Sequence, residues 1–241
     1  MRQEQLILAG CRPVARDVYE LSLDGVREKM APGQFVNVSV PGFSLRRPIS
    51  VCNQEGSCLT LVVRAQGKGT QALVGARPGT KLDVLTGLGH GYSLEKAGES
   101  PLLIGGGVGV PPLFYLARML RQDRPVAVCM GFNRKEDVFY AEEFEKLGCE
   151  VRIATMDGSL GTKGLVTQTF PQRASFFYAC GPMPMLRALS RAEWPGEVSL
   201  EARMGCGFGA CMGCSLRTKS GMQRICREGP VFAKEEILWE D

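Results

Sequence analysis

The sequence predicts a multi-domain β plus α/β chain with a small cysteine-rich C-terminal segment. Three observations lead there. Short strand-like runs crowd the first 97 residues. Apolar strands then alternate with helical segments as far as residue 195. Beyond that, Gly205 to Cys214 reads GCGFGACMGC, with three cysteines and four glycines in ten residues. The expected domains are therefore 1–97, 98–195 and 196–241.

The elements follow in order. QFVNVSV, PISVCN and SCLTLVVRA alternate or run with β-branched residues, and PGFS and NQEGS separate them as turns. Closely spaced short strands predict an antiparallel barrel or sandwich. GKGTQALVGARPGTKLDVL reads as a short helix, a turn and a further strand. The polar stretch SLEKAGES marks the first boundary. PLLIGGG is then an apolar strand ending in glycines, and VPPLFYLARMLRQ a helix with proline tolerated in its first turn. RPVAVCMGF, CEVRIAT and SFFYACGP are further strands, with EDVFYAEEFEKLG and MPMLRALSRA as helices. This alternation predicts a doubly wound parallel sheet. The last 45 or so residues have little helix. A segment that small is expected to need a metal staple.

Composition narrows the function. The chain has 241 residues, 44% of them hydrophobic and 22% charged, which is enough to bury a core and argues against disorder. A net charge of +4 with no block of like charges excludes a nucleic-acid footprint. No apolar run approaches the roughly 20 residues of a membrane span. The N-terminus lacks a signal-peptide core. The expectation is a soluble cytoplasmic protein with no membrane partner. Six of the ten cysteines (Cys11, Cys52, Cys58, Cys129, Cys149 and Cys180) are scattered through apolar stretches, as free thiols are in a reducing compartment. The single histidine, His90, sits between glycines in a turn and leaves no serine–histidine–carboxylate set to assemble.

The cysteine cluster is the strongest signal. Its spacing is Cys206-x4-Cys211-x2-Cys214-x11-Cys226. Plant-type [2Fe–2S] ferredoxins carry C-x4-C-x2-C and a distant fourth cysteine. Two irons need four thiolates, and glycines let backbone N–H groups come close to the sulfurs. A structural zinc site is the competing reading, although zinc ribbons pair two C-x2-C knuckles. Disulfides are the third. A [2Fe–2S] cluster moves one electron at a time, so redox cofactors are expected in the other domains.

Two further motifs fit. RRPISVCN with LVVRAQGKGTQAL sets arginines on strands, suited to a pyrophosphate or flavin, ahead of a helix N-terminus at Gly69 and Thr70. Ser50 is placed to donate to a ring nitrogen. A surface arginine in a β-domain would look the same. LLIGGGVGVPPL is a strand, a glycine-rich turn and a helix, which suits an anion or an ordinary tight turn. YACGPMPML ends another strand at the same carboxyl edge. Arg134 and Lys135 follow the second strand of the α/β-domain, where a 2′-phosphate could lie, but solvated surface charge explains them as well, and NAD is not separated from NADP.

In this order the motifs resemble the ferredoxin-NADP reductase superfamily over residues 1 to about 195. GCGFGACMGC and ICREGPVF look closest to the electron-transfer subunits of dihydroorotate dehydrogenase B. The resemblance implies a flavin barrel in which Arg47, Pro48, Ile49, Ser50, Val62, Val63, Arg64, Gly69 and Thr70 contact FAD. It implies that Gly105, Gly107, Gly109, Cys180, Gly181, Pro182 and Met183 line a nicotinamide site for NAD. Cys206, Cys211, Cys214 and Cys226 would bind the [2Fe–2S] cluster. The family often has G-N-G-F where this chain has Gly89-His90-Gly91-Tyr92, and Tyr92 is expected to stack in that role. The implied partner is an FMN-containing dihydroorotate dehydrogenase catalytic subunit, in a heterotetramer of two copies of each chain. Electrons would pass singly from that FMN through the cluster to FAD, and as a hydride to NAD⁺, in pyrimidine biosynthesis. No catalytic acid or base is expected in this chain. The other reading of the same motifs is an NAD(P)H-dependent reductase subunit of a bifurcating or hydrogenase-type complex. A redox sensor without turnover is disfavoured by the paired flavin and nucleotide motifs.

Overall fold

The computed structural model describes residues 1–239. Its first unit is a closed antiparallel barrel. The strands are β1 (Arg2–Ala15), β2 (Val18–Asp24), β3 (Phe35–Val38), β4 (Arg47–Glu55), β5 (Cys58–Arg64) and β6 (Lys81–Leu88), joined in the order β1-β2-β5-β4-β3-β6. Strand alternation fills it: Leu6 and Leu8, Leu21 and Leu23, and Leu59 and Leu61 are all fully buried in one core. A short helix, α1 (Lys68–Val74), links β5 to β6.

The sequence reading did not find β1 and β2. Gly10 and Pro13 interrupt the alternation of β1, and the structure absorbs them as register shifts between Leu8 and Gly10 and between Pro13 and Ala15.

The second unit begins at β7 (Pro101–Gly106) and continues through α2 (Pro111–Leu120), β8 (Ala127–Phe132), α3 (Ala141–Lys146), β9 (Glu150–Thr155), β10 (Thr162–Lys163), β11 (Phe176–Cys180), α4 (Met183–Leu189) and β12 (Gly196–Ser199). A hairpin follows, β13 (Ser215–Thr218) and β14 (Gly221–Arg224), and then β15 (Val231–Ala233). The large sheet has the order β10-β9-β8-β7-β11-β12-β15, parallel except where β15 runs antiparallel to β12. The chain leaves β7 toward β8 on one side and returns to β11 on the other. That reversal is the switch point at which open α/β sheets bind ligands, beyond the carboxyl ends of the strands.

Two expectations change. The helix expected over EDVFYAEEFEKLG is only Ala141–Lys146, because Tyr140 stands before it with φ of 68°, a left-handed residue that no helix can pass through. The boundary expected at 195 falls inside a continuous sheet. Strands β12 and β15 lie on either side of the cysteine loop, and both belong to that sheet. Cys214, Ile225 and Cys226 share one apolar cluster with Phe177, Val198 and Phe232. The C-terminal segment is therefore held by the sheet as well as by whatever its cysteines bind.

Helix α2 joins the two units. Tyr115 is buried with the barrel core, and its hydroxyl donates to the Met30 carbonyl at 3.3 Å. Arg118 donates to the Gln54 carbonyl at 2.7 Å. No helix among the described residues is long and apolar enough to cross a membrane.

Candidate functional site

A cavity of about 660 Å³ opens between the barrel and the carboxyl edge of the sheet. Three parts of the chain meet there. The barrel contributes Pro48, Ile49, Ser50 and Arg64, and the sheet contributes Gly107 and Gly109 after β7 and Cys180, Gly181 and Pro182 after β11. Met204, two residues before Cys206, closes the third side.

Each glycine has its own reason. Gly107 takes a left-handed φ of 52°, and only the Arg64 guanidinium, 3.8 Å away, comes near the position of a Cβ. It is the open one. A Cβ on Gly109 would overlap the Cys180 carbonyl, so this glycine lets the two turns pack backbone to backbone. Gly105 is buried, and a Cβ there would lie 2.7 Å from Val110. Gly105 thus shapes the edge from behind instead of lining the cavity, while Gly109 both lines the cavity and holds the two turns together.

The electrostatics suit an anionic ligand with hydroxyl groups. Arg64 has no carboxylate partner among the described residues. Asp137, only 9% exposed, also lines the cavity. Its Oδ1 accepts from Arg16 of the barrel at 3.1 Å, while its buried Oδ2 has no partner. Such an atom is costly unless a donor reaches it. Burial pushes the Cys180 thiol up to about 12, against a hydrogen bond with Ser199, so it stays neutral near pH 7.

The other expected residues lie elsewhere. Val63 packs in the barrel core and Val62 in the cluster beneath α2, so neither side chain reaches the cavity. Arg47 lies over the Phe43 ring at 4.9 Å and against Gly69. Gly69 and Thr70 fall inside the first turn of α1, not before it. The Thr70 hydroxyl accepts from the Gly67 N–H at 3.1 Å and donates to its carbonyl at 2.9 Å. Met183 sits on an outer groove beside Arg187 and Arg191. Tyr92 does not face the cavity. It is buried edge-on against Tyr178, with its hydroxyl donating to the Ala179 carbonyl at 3.2 Å. His90 is a joint between segments, 3.1 Å from the Glu228 carbonyl. The sequence reading missed Phe35, Phe132, Asn133, Asp137, Ser199 and Met204, all of which line the cavity. Phe132, Asn133 and Ser199 stand at carboxyl ends of strands, and that position was the signal that could have found them.

The cysteine loop forms two pairs. The Cys206 thiol lies within electrostatic reach of Cys211, and that of Cys226 within reach of Cys214 and, more weakly, Cys206. Among the described residues, no three side chains converge on one ion position. Two thiol pairs side by side fit two irons, whereas zinc needs four ligands around one point. The loop also turns donors toward sulfur. The Ala210 and Cys211 N–H groups reach Cys206 Sγ at 3.2 and 3.4 Å, and the Cys226 N–H reaches Cys214 Sγ at 3.4 Å. Burial raises the Cys206 thiol, but the backbone donors around it prevail and bring it down to about 6. Cys226 goes the other way, up to about 12, through burial and then Cys214. Cys211 is exposed, and Cys214 and Cys226 are buried. The four cysteines expected as ligands therefore lie within one region of the loop.

Comparison with known proteins agrees with this arrangement. Residues 201–238 match the iron-sulfur cluster binding domain of dihydroorotate dehydrogenase B. A protein of Geobacillus sp. named as the electron transfer subunit of dihydroorotate dehydrogenase B (NAD(+)) is 46% identical over 99% of both chains. One of Shouchella clausii with the same name is 44% identical over 98% of each. A solved NADH-dependent reduced ferredoxin-NADP oxidoreductase, studied for flavin-based electron bifurcation, superposes with a TM-score of 0.88 at 27% identity, over 98% of this chain and 90% of that one. Phthalate dioxygenase reductase, described as a modular structure for electron transfer from pyridine nucleotides to [2Fe–2S], shares the fold with a TM-score of 0.65 at 20% identity, over 91% and 87%. With a shared cavity, paired thiols and near full-length identity above 40%, the chain belongs to the family of electron transfer subunits of dihydroorotate dehydrogenase B.

Proposed function

We propose that this chain carries electrons between a dihydroorotate-oxidising partner subunit and NAD⁺, in the cytoplasm, as one half of a pyrimidine-biosynthetic oxidoreductase. The partner would hold FMN, and the assembly would contain two copies of each chain. The observation that carries the reading is that one cavity is walled by the barrel, the nucleotide-type sheet edge and the segment leading into the paired cysteines.

FAD and a [2Fe–2S] cluster, when bound, would supply the conversion between single-electron transfer and hydride transfer. The chain's own residues bind, orient and shield. Pro48, Ile49 and Ser50 present one strand to the cavity, with Ser50 as a hydrogen-bond donor. Arg64 supplies positive charge where a pyrophosphate would sit, across from the open turn at Gly107. Arg47, Gly69 and Thr70 are proposed to act from the barrel side of the same flavin site, and Val62 and Val63 through their backbone alone. Asp137 offers its unpartnered oxygen to a hydroxyl or amino group of a dinucleotide. Gly109 keeps the two sheet-edge turns together, Gly105 seats the end of β7 against Val110 ahead of α2, and Gly181, Pro182 and Met183 continue that edge. The neutral Cys180 thiol closes the cavity without placing charge beside a hydride acceptor. Cys206, Cys211, Cys214 and Cys226 would hold the cluster. No side chain needs to move a proton to or from dihydroorotate, so no catalytic residue is assigned and the substrate base belongs to the partner.

A bifurcating reductase would share the fold, as the 27% identical structure illustrates. The 46% and 44% identical relatives favour the dihydroorotate reading. Anaerobic purification from native cells, assayed for dihydroorotate-dependent NAD⁺ reduction, tests it. An FMN protein that co-elutes, with activity requiring both chains, is the expected result. A partner indifferent to dihydroorotate would move the chain to the bifurcating class.

A further inference from the structure

The outer face of β3 is where the barrel touches the cysteine loop. Val36 and Val38 point into the barrel core. Phe35 and Asn37 alternate to the other side, and Phe35 lines the cavity and shares an apolar cluster with Cys214 and Cys226. An apolar residue would suit position 37, yet an asparagine only 1% exposed is there. Its Nδ2 donates to the Cys206 carbonyl at 3.1 Å, across 169 residues of sequence. Its Oδ1 is buried with no partner. A polar group placed at such a cost is kept for the one bond it makes.

The loop side is shaped to match. Gly207, directly after Cys206, has φ of 77°, and a Cβ on it would overlap Asn37 Nδ2. The amide therefore occupies the space a side chain would take. On the strand, Asn37 is paired with Pro48, which lines the cavity, and the Asn37 carbonyl accepts from Arg46 at 3.4 Å. The same residue is thus tied to the cavity wall through β4 and to the first cysteine of the loop through its side chain.

We propose that Asn37 is a positioning residue for Cys206, fixing this ligand to the barrel and thereby setting the potential of the centre the four cysteines hold. The inference rests on the cluster reading proposed above. The Cys206 sulfur receives the Ala210 and Cys211 N–H groups only while the loop keeps its shape. Hydrogen bonds to sulfur raise the potential of an iron–sulfur centre by stabilising its reduced form. With the Cys206 carbonyl released, those bonds lengthen and the potential falls.

The test uses the full chain, purified anaerobically with its partner, as wild type and as Asn37→Ala, Asn37→Asp, Gly207→Ala and the double variant Asn37→Ala/Gly207→Ala. Iron, sulfide and flavin contents are measured first. Then come the potential and EPR spectrum of the reduced centre and its rate of loss to a chelator. Asn37→Ala is expected to retain flavin, shift the EPR spectrum, lower the potential and raise the loss rate about tenfold, in keeping with loss of a buried hydrogen bond. Asn37→Asp, which keeps the shape but loses the donor, should lower the potential at least as far. Because removing the amide makes room for the Cβ, the double variant should be less impaired than the product of the single effects. Unchanged EPR and potential in Asn37→Asp with full iron, or independent effects in the double variant, overturn the inference. Should Asn37→Ala fail to fold, Asn37→Asp and Gly207→Ala still decide it. Wild-type protein without iron and sulfide would instead sink the cluster reading, a distinguishable result.

Discussion

The guanidinium of Arg47 lies directly against the backbone of Gly69, so that a Cβ on Gly69 would overlap its Nε and Nη2. Strand β4 and helix α1 are locked together there, with Arg47 also over the Phe43 ring. Gly69→Ala must displace the arginine. The guanidinium is the far end of a flexible, half-buried side chain, so it can swing aside at little cost to the fold. If Arg47 serves the flavin, the variant should lose about tenfold or more in FAD affinity. Fluorescence titration of apoprotein with FAD measures this, and Arg47→Ala is its companion. Equal FAD affinity in both variants would remove Arg47 from the flavin site.

Gly109→Ala addresses the other side of the cavity. Its Cβ would meet the Cys180 carbonyl, which is backbone and cannot swing away. The β7 and β11 turns would separate, and the nucleotide edge would lose its shape. We expect NADH-dependent reduction of an artificial acceptor to fall at least tenfold, since displacement of about 1 Å at a site can cost a hundredfold. Flavin content should not change. If the KM for NADH and the kcat both stay at wild-type values, the glycine is not needed where the structure puts it.

How much of this was readable in the sequence follows from what kind of information each part needs. Cys206, Cys211, Cys214 and Cys226 were legible as candidate ligands because cluster ligation is a spacing rule, and the loop carries it locally. The strands β7, β8, β9 and β11 were legible as apolar runs between helices. Strand β1 was not, because Gly10 and Pro13 disguise a pattern that bulges repair only in three dimensions; β2, VYELSLD, carries a plain alternation and is a signal the sequence did offer. Val62 and Val63 show the limit of a motif. It located the right strand, but alternation sends both side chains into cores. Asp137 was invisible because nothing local says that its Oδ2 will be buried without a partner.

Cys211 is the exposed member of the four, and Cys206 is its neighbour. Cys211→Ser should abolish the visible and EPR signals of the cluster and leave FAD bound, since no part of the cavity wall is Cys211. The sheet strands β12 and β15 should keep the segment folded, so the far-ultraviolet circular dichroism should hardly move. An intact cluster spectrum in this variant would remove Cys211 from the ligand set.

Arg46 and Asp83 form a pH-sensitive tie across the barrel, Nη2 to Oδ2 at 2.9 Å. The hydrogen bond from Arg46 holds the Asp83 carboxyl below its ordinary range, against a smaller effect of burial, with Gln3 assisting. A depressed folded-state pKa means stabilisation that is present above the ordinary carboxylate range and is lost as the pH falls through the folded value. The pair is partly solvated, so about 1 kcal/mol or less is at stake, or about 2–4 °C in Tm at this chain length. Asp83→Asn should melt lower than wild type at pH 7, and the gap should close in acid. A gap that persists at low pH would assign the effect to packing.

Electrons have to enter this chain from a partner, and the exposed surface around the cysteine loop offers a place. Phe208 is 44% and Met212 51% exposed, on either side of the exposed Cys211. Large apolar side chains left bare beside a proposed cluster ligand suit a docking face, where burial excludes water from the path. The double variant Phe208→Ser/Met212→Ser leaves the backbone donors near Cys206 in place. It should keep iron, flavin and NADH-dependent reduction of an artificial acceptor. It should lose dihydroorotate-dependent NAD⁺ reduction and weaken partner binding at least tenfold, because truncating two interface anchors commonly costs more than 1 kcal/mol each. Sedimentation of the mixed subunits reads the affinity. Were the partner to bind the variant as tightly as the wild type, the docking face would lie elsewhere on the chain, and the route between cluster and partner with it.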